Sequence, residues 1–172
     1  MTERPLPKRA PQGADLLGPL VRHGVDFVVV GGFAGYAHGS NYPTYDLDVA
    51  YARDHANIVR LVEALDEIGV RLRGAQEDLP FQLEPGTIEN GANFTFITPA
   101  GDFDILGHVP GIKSYADLRD RAERKLIGGV EVPVASLDHL IAMKRAAGRT
   151  KDKLMLEEYI VLADEQRRVQ PE

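Results

Sequence analysis

Asp46 and Asp48 stand one residue apart in "TYDLDVAY", within an apolar run that reads as a strand. Side chains at i and i+2 of a strand share a face, so two like charges sit close together in a poorly screening medium. Burying one carboxylate without a partner is costly, and burying two side by side is worse. A divalent cation removes that conflict. Magnesium prefers oxygen ligands, usually takes one or two carboxylates, and leaves its other positions to water and substrate phosphates. The pair therefore suits metal-assisted phosphoryl chemistry, including the two-metal form. D-x-D is a common spacing, however, and for an isolated copy capping turns or pairing with arginine at a strand edge is the better explanation.

Three further features give the pair company. Gly31 and Gly32 follow the run "VDFVVV", and glycines at a strand-to-helix junction let backbone N–H groups approach an anion. A tight turn alone would also explain them, and no P-loop signature is present. "GDFDIL" repeats the alternating aspartates at Asp102 and Asp104. Asp102 can close the turn after Gly101, so Asp104, deeper in the apolar run, is the better third acid, placed to orient an acceptor hydroxyl and take its proton. Lys144 falls in the i, i+3, i+4, i+7 stripe of Leu137, Leu140 and Ile141. Either it snorkels to the surface or it faces an anionic cleft.

These residues need elements to hold them. "ADLLGPLVRHG" has helical spacing and stops at Gly24, "VDFVVV" is a buried strand, and "GFAGYAHG" is a short helix beginning at the double glycine. "YDLDVAY" is a strand with Leu47 and Val49 on one face and Asp46, Asp48 and Ala50 on the other. Asp54 caps an amphipathic helix whose stripe is Ile58, Leu61, Val62, Leu65 and Ile68, ending at Gly69. From Val70 to Leu106 the chain reads as strands and turns, with "NFTFIT" and "DFDIL" joined as a hairpin at Pro99-Ala100-Gly101. A helix is expected around Ser114 to Glu123, then a short strand pair ending at "VEVPVA". Ser136 caps the next helix, and Thr150 a final one reaching about Glu165. His38 reads as a helix-end structural residue, and Thr44 as either a cap or a phosphate contact.

The gross numbers agree with one α/β domain. At 172 residues the chain can bury a core without staples, and 44% hydrophobic with 27% charged residues is globular composition. Residues 1–13 read as a solvated, disordered Pro-rich tail, 14–165 as one domain, and 166–172 as a C-terminal tail. The absence of cysteine excludes a disulfide scaffold, thiolate zinc sites and a cysteine nucleophile. No stretch approaches the roughly 20 apolar residues of a membrane span, and the N-terminus lacks a signal-like apolar core. A cytoplasmic protein is the expectation. A net charge of −6 argues against a general nucleic-acid coat protein. It leaves room for a local basic patch, formed here by Lys144, Arg145, Arg149, Lys151 and Lys153.

Together, the double glycine, D-x-D and later acid resemble the nucleotidyltransferase superfamily that includes DNA polymerase β. Within it, "GGFAGYAHG", "TYDLDV", "TPAGDFDIL" and "LDHLIAMKRAAGRTKD" look most like the small bacterial AbiEii/MenT-type proteins, many of them toxins of toxin–antitoxin pairs. The resemblance covers most of Val25 to Leu162. It implies an α/β (α+β) fold: a mixed sheet carrying the three acids, flanking helices and a helical C-terminal part.

The resemblance also implies roles. Asp46 and Asp48 would bind Mg²⁺, or Mn²⁺ in its place, with Asp104 completing the metal site or activating the acceptor. Lys144 would meet the triphosphate of an NTP, with Gly31, Gly32 and Thr44 near the phosphates. Arg149, Lys151 and Asp152 match the family's R-x-K-D segment, whose basic residues would hold phosphate or acceptor. The expected reaction moves a nucleoside monophosphate onto an acceptor hydroxyl: a tRNA 3′ end, a protein hydroxyl, or a small molecule such as an antibiotic. A cognate antitoxin is the implied partner.

Two departures stand out: Tyr42 sits where relatives often carry arginine, and Met155 and Leu156 lie where a later acid is expected. A lost arginine removes a charge-assisted phosphate bond typically worth about 1.5–3 kcal/mol. Two rival readings follow, an inactive nucleotide- or metal-binding domain and a small hydrolase that uses water as acceptor.

Overall fold

The computed structural model describes residues 11–74, 81–150 and 152–170. Its framework is a seven-stranded mixed sheet: β1 (Phe27–Val30), β2 (Asp46–Tyr51), β3 (Arg71–Leu72), β4 (Asn93–Thr98), β5 (Gly101–Leu106), β6 (Glu123–Ile127) and β7 (Val130–Val134). Across the sheet the order is β3-β4-β5-β2-β1-β7-β6. β2 lies at the centre, parallel to β5 and antiparallel to β1, which is itself parallel to β7. Among the described residues seven helices flank it: α1 (Gly13–Arg22), α2 (Gly31–Ala37), α3 (His55–Ile68), α4 (Pro85–Asn90), α5 (Tyr115–Asp120), α6 (Leu137–Ala147) and α7 (Asp152–Val169). The architecture is the mixed α/β arrangement, with a helical C-terminal part, that the sequence implied.

The local reasons are ordinary ones. Phe27–Val30 is buried on both faces, as a β-branched run in a sheet interior should be. The Asp54 side chain accepts from the Asn57 backbone N–H at the start of α3, and Gly69 ends the helix in the left-handed region. Ser136 likewise caps α6 by accepting from His139 N–H. Asn57 is fully buried and fully used. Its Oδ1 accepts from Asp26 N–H at 2.7 Å, while Nδ2 donates to Asp26 O and Ala52 O, stapling α3 to the end of β2.

Several boundaries differ from the sequence expectation. α1 begins at Gly13, and Gln12 N–H donates to Ala100 O at 2.8 Å, so the chain is tied down before Ala14. A helix, α4, interrupts the stretch read as strands and turns between Val70 and Leu106. It is only six residues long and contains glycine, so its stability comes from tertiary contacts. Ile88 is buried, and the Arg53 guanidinium donates to Ile88 O and Glu89 O at the helix end. The helix expected to reach Glu123 stops at Asp120, because Glu123 already pairs with Val134 in the β6–β7 hairpin. That hairpin turns at Gly128-Gly129, both at positive φ, the geometry of the tight turn that best matches strand twist. α7 runs to Val169, past the expected end at Glu165. The start of α7, expected to be capped at Thr150, adjoins Lys151, which lies outside the described residues, as do residues 1–10 of the expected tail.

Candidate active site

Parallel pairing of β2 with β5 brings two alternating-aspartate segments into register. Asp46 stands opposite Asp102 and Asp48 opposite Asp104, so four carboxylates occupy one face at the middle of the sheet. On the other side, Val30 of β1 pairs with Asp48, and the chain turns at once into Gly31. Alternation along β2 already joins Asp46 to Asp48; the pairing across strands is what the fold adds.

Burial pushes the Asp48 carboxyl well above the usual carboxylate range. Proximity to Asp104, a hydrogen bond between the two side chains and the nearby Asp46 charge add to the shift, and Lys144 offsets part of it. Asp104 is also raised, chiefly by burial, while Arg73 pulls it the other way. Arg73 Nη2 donates to Asp104 Oδ1 at 2.8 Å. The site thus has carboxylates in mutual contact whose repulsion is only partly relieved.

Gly31 makes this packing achievable. Its φ is +68°, and a Cβ there would lie 2.2 Å from Asp48 Oδ2. Glycine is required both for the backbone conformation and for the approach of the carboxylate. Gly32 works similarly against Thr44, whose Oγ1 would lie 2.7 Å from an added Cβ. The Thr44 hydroxyl donates to Asp46 O at 3.1 Å and so braces the entry to β2. Tyr42, a turn earlier, donates its backbone N–H to Ser40 Oγ.

A cleft of about 270 Å³ opens beside this face. Gly31 and Asp48 line one side, Lys144 and Arg149 another, with Leu106, Leu140 and Tyr159 among its apolar walls. Lys144 Nζ donates to Asp152 Oδ1 at 2.9 Å, and Arg149 Nε to Asp152 Oδ2 at 2.8 Å. Asp152 is only 4% exposed. Burial raises its pKa, but the two cationic donors outweigh that and hold it below the usual value. Lys144, with three donors, keeps N–H groups for an anion while bound to Asp152. Lys151 lies outside the described residues.

Replacing Lys144 with methionine should lower stability by about 1–3 kcal/mol, because Asp152 loses one partner. If Lys144 meets a triphosphate, as the sequence resemblance implies, nucleotide affinity should fall in the same variant. Adding Asp152→Asn should recover thermal stability without recovering affinity, which calorimetry and nucleotide titration would resolve.

The donor set suits a hard dication bound in the open manner of magnesium: carboxylate oxygens in mutual repulsion, next to cationic groups suited to phosphate. Among the described residues no group of three or more Asp, Glu, His or Cys side chains is arranged as a metal cage. An ion here would need water or substrate oxygens to complete its shell.

Sequence reasoning missed Arg73, Asp102 as a neighbour of Asp46, and Tyr159. The Tyr159 ring is fully buried, its hydroxyl has no hydrogen-bond partner among the described residues, and burial pushes its pKa up to about 12. It presses on α2, since a Cβ on Gly35 would lie 2.4 Å from the hydroxyl oxygen. His38 stands at the end of α2, with Nε2 bonded to Ala135 O at 2.8 Å, a structural setting.

The fold is that of the nucleotidyltransferases. The chain is similar to the lincosamide antibiotic adenylyltransferase LnuA in its lincomycin-bound form, with TM-score 0.60 and 10% identity over 88% of this chain and 96% of that one. It is also similar to ANT(2″)-Ia in complex with adenylyl-2″-tobramycin, with TM-score 0.56 and 14% identity over 88% and 86%. A third likeness is to TM1012 of Thermotoga maritima, a candidate nucleotidyltransferase, with TM-score 0.52 and 16% identity over 84% and 88%. No family model matches the chain, and no curated protein does.

Proposed function

We propose that this chain is a Mg²⁺-dependent nucleotidyltransferase that moves a nucleoside monophosphate from an NTP to an acceptor hydroxyl. The observation that carries the reading is the placement of Asp46, Asp48 and Asp104 on one face of adjoining strands, with Asp48 and Lys144 lining one cleft.

Asp46 and Asp48 would hold the ion, with Asp104 beside them. Mg²⁺, or Mn²⁺, would neutralise charge on the phosphates and make the α-phosphorus more electrophilic. Lys144 and Arg149, fixed by Asp152, would hold the triphosphate. Asp104 would orient the acceptor hydroxyl and take its proton as the new O–P bond forms. The bond between the α-phosphorus and its bridging oxygen breaks, and pyrophosphate leaves against Lys144.

For the acceptor we propose an RNA 3′ end, such as that of tRNA. That would make the chain the toxin-like member of an AbiEii/MenT-type pair in the cytoplasm, with a cognate antitoxin. Its support is the cationic run of Lys144, Arg145, Arg149 and Lys153 in the sequence, of which Lys144 and Arg149 line the cleft. A second reading, a small-molecule acceptor, is favoured by the likeness to LnuA and ANT(2″)-Ia, whose structures contain lincomycin and adenylyl-2″-tobramycin. No helix among the described residues is long and apolar enough to cross a membrane.

The test is incubation with four α-labelled NTPs, Mg²⁺ and either total tRNA or a panel of lincosamides and aminoglycosides. Label on tRNA is the expected result. Label on a small molecule selects the second reading, free NMP indicates hydrolysis, and nucleotide binding without turnover would end the enzymatic proposal.

A further inference from the structure

Arg73 follows directly after β3 and has no role in the chemistry described so far. Its backbone N–H donates to Thr95 O at 2.9 Å, extending the ladder and placing it beside Thr95 of β4. Thr95 pairs with Asp104, and Asp104 pairs with Asp48. Arg73 therefore heads a row across the sheet that ends at the two carboxylates in mutual contact.

The side chain reaches along this row. Nη2 donates to Asp104 Oδ1 at 2.8 Å and to Phe96 O at 2.9 Å. Nε is buried, has no hydrogen-bond partner among the described residues, and lies 3.8 Å from Asp102 Oδ2. The guanidinium is thus held by a strand carbonyl and by its own backbone ladder, not by the carboxylate alone. Arginine carries its charge at every accessible pH, so this charge is permanent. An ion seated on Asp104 would have to share that carboxylate with a fixed cation.

Building on the proposed transfer reaction, we propose that Arg73 is the resident counter-cation of Asp104. The site then takes one divalent ion, held through Asp46 and Asp48, and Asp104 acts as an oriented carboxylate instead of a ligand. Arg73 is a positioning residue in this account. It acts through Asp104 and supplies the charge that a second ion would otherwise bring.

The probe is Mn²⁺ alone, counted by electron paramagnetic resonance on the full chain. The wild type should bind one ion tightly. Arg73→Gln should gain a second, while Arg73→Lys, which keeps the charge, should remain at one. Asp104→Asn should still bind one ion, with affinity changed by no more than about tenfold. Circular dichroism and thermal melts on each variant separate misfolding from a change in stoichiometry. If Arg73→Gln does not fold, the Asp104→Asn count decides alone.

Two tight ions in the wild type, or loss of the tight ion in Asp104→Asn, would overturn the assignment of Arg73 and leave the transfer reaction standing. No ion bound by the wild type would overturn both.

Discussion

Asp46→Asn with Asp48→Asn should abolish nucleotide transfer and raise the thermal stability of the metal-free protein at neutral pH. The first effect follows because both proposed ligands for the ion are lost. Loss of positioned charge stabilisation at a reacting centre typically costs about 10²–10³-fold for a single donor, so removing two ligands should take transfer below detection.

The second effect follows from the electrostatics. The Asp48 carboxyl titrates above its unfolded value, mainly through burial and the proximity of Asp104. A raised acid means the folded state binds the proton more tightly than the unfolded chain. Stability is therefore lost as pH rises from about 4, the unfolded carboxylate value, through the higher folded value. Asparagine cannot lose a proton and escapes that loss. Melts across the pH range should show the variant above the wild type at neutral pH and the two converging below roughly pH 4. A variant that retains transfer would refute the carboxylate platform.

Gly31→Ala should be nearly as damaging to activity, and should destabilise the protein as well. The left-handed backbone at this position costs an L-residue roughly 1–2 kcal/mol, and the new methyl group would collide with the Asp48 carboxylate. Overall destabilisation of about 2–4 kcal/mol is expected, measurable by denaturant titration. Turnover should drop by about 100-fold or more, because misplacing a reacting group by an ångström has that scale of effect. Gly86→Ala is the control: nothing lies within 4 Å of its added Cβ, and its φ is not in the left-handed range. If Gly31→Ala behaves like Gly86→Ala, the glycine turn is merely a turn.

What could be read from the sequence was what depends on short-range order. Alternation put Asp46 and Asp48 on one side of their strand, and the helix caps at Asp54 and Ser136 were visible because a cap is a relation between residues three apart. The hairpin joining β4 and β5 announced itself through its turn residues. The pairing of Asp48 with Asp104 was not visible, since it depends on two parallel strands whose register is set by the whole sheet. Arg73 was out of reach for the same reason: its place is defined by β4, and no spacing within its own segment points to the acids. α4 was missed because tertiary bonds from Arg53, and not its own propensity, hold it.

α7 begins with Asp152, the shared acceptor of Lys144 and Arg149, and its Glu158 takes the Asn41 backbone N–H at 3.2 Å. Further along, Tyr159 fills the space that Gly35 leaves open, and Gln166 reaches His38. A protein trimmed to its sheet would keep the four aspartates of β2 and β5 and lose the anchor that aims the two cations lining the cleft. If the proposed transfer holds, the smallest piece capable of it must therefore include this last helix, even though none of the aspartates on the sheet belongs to it.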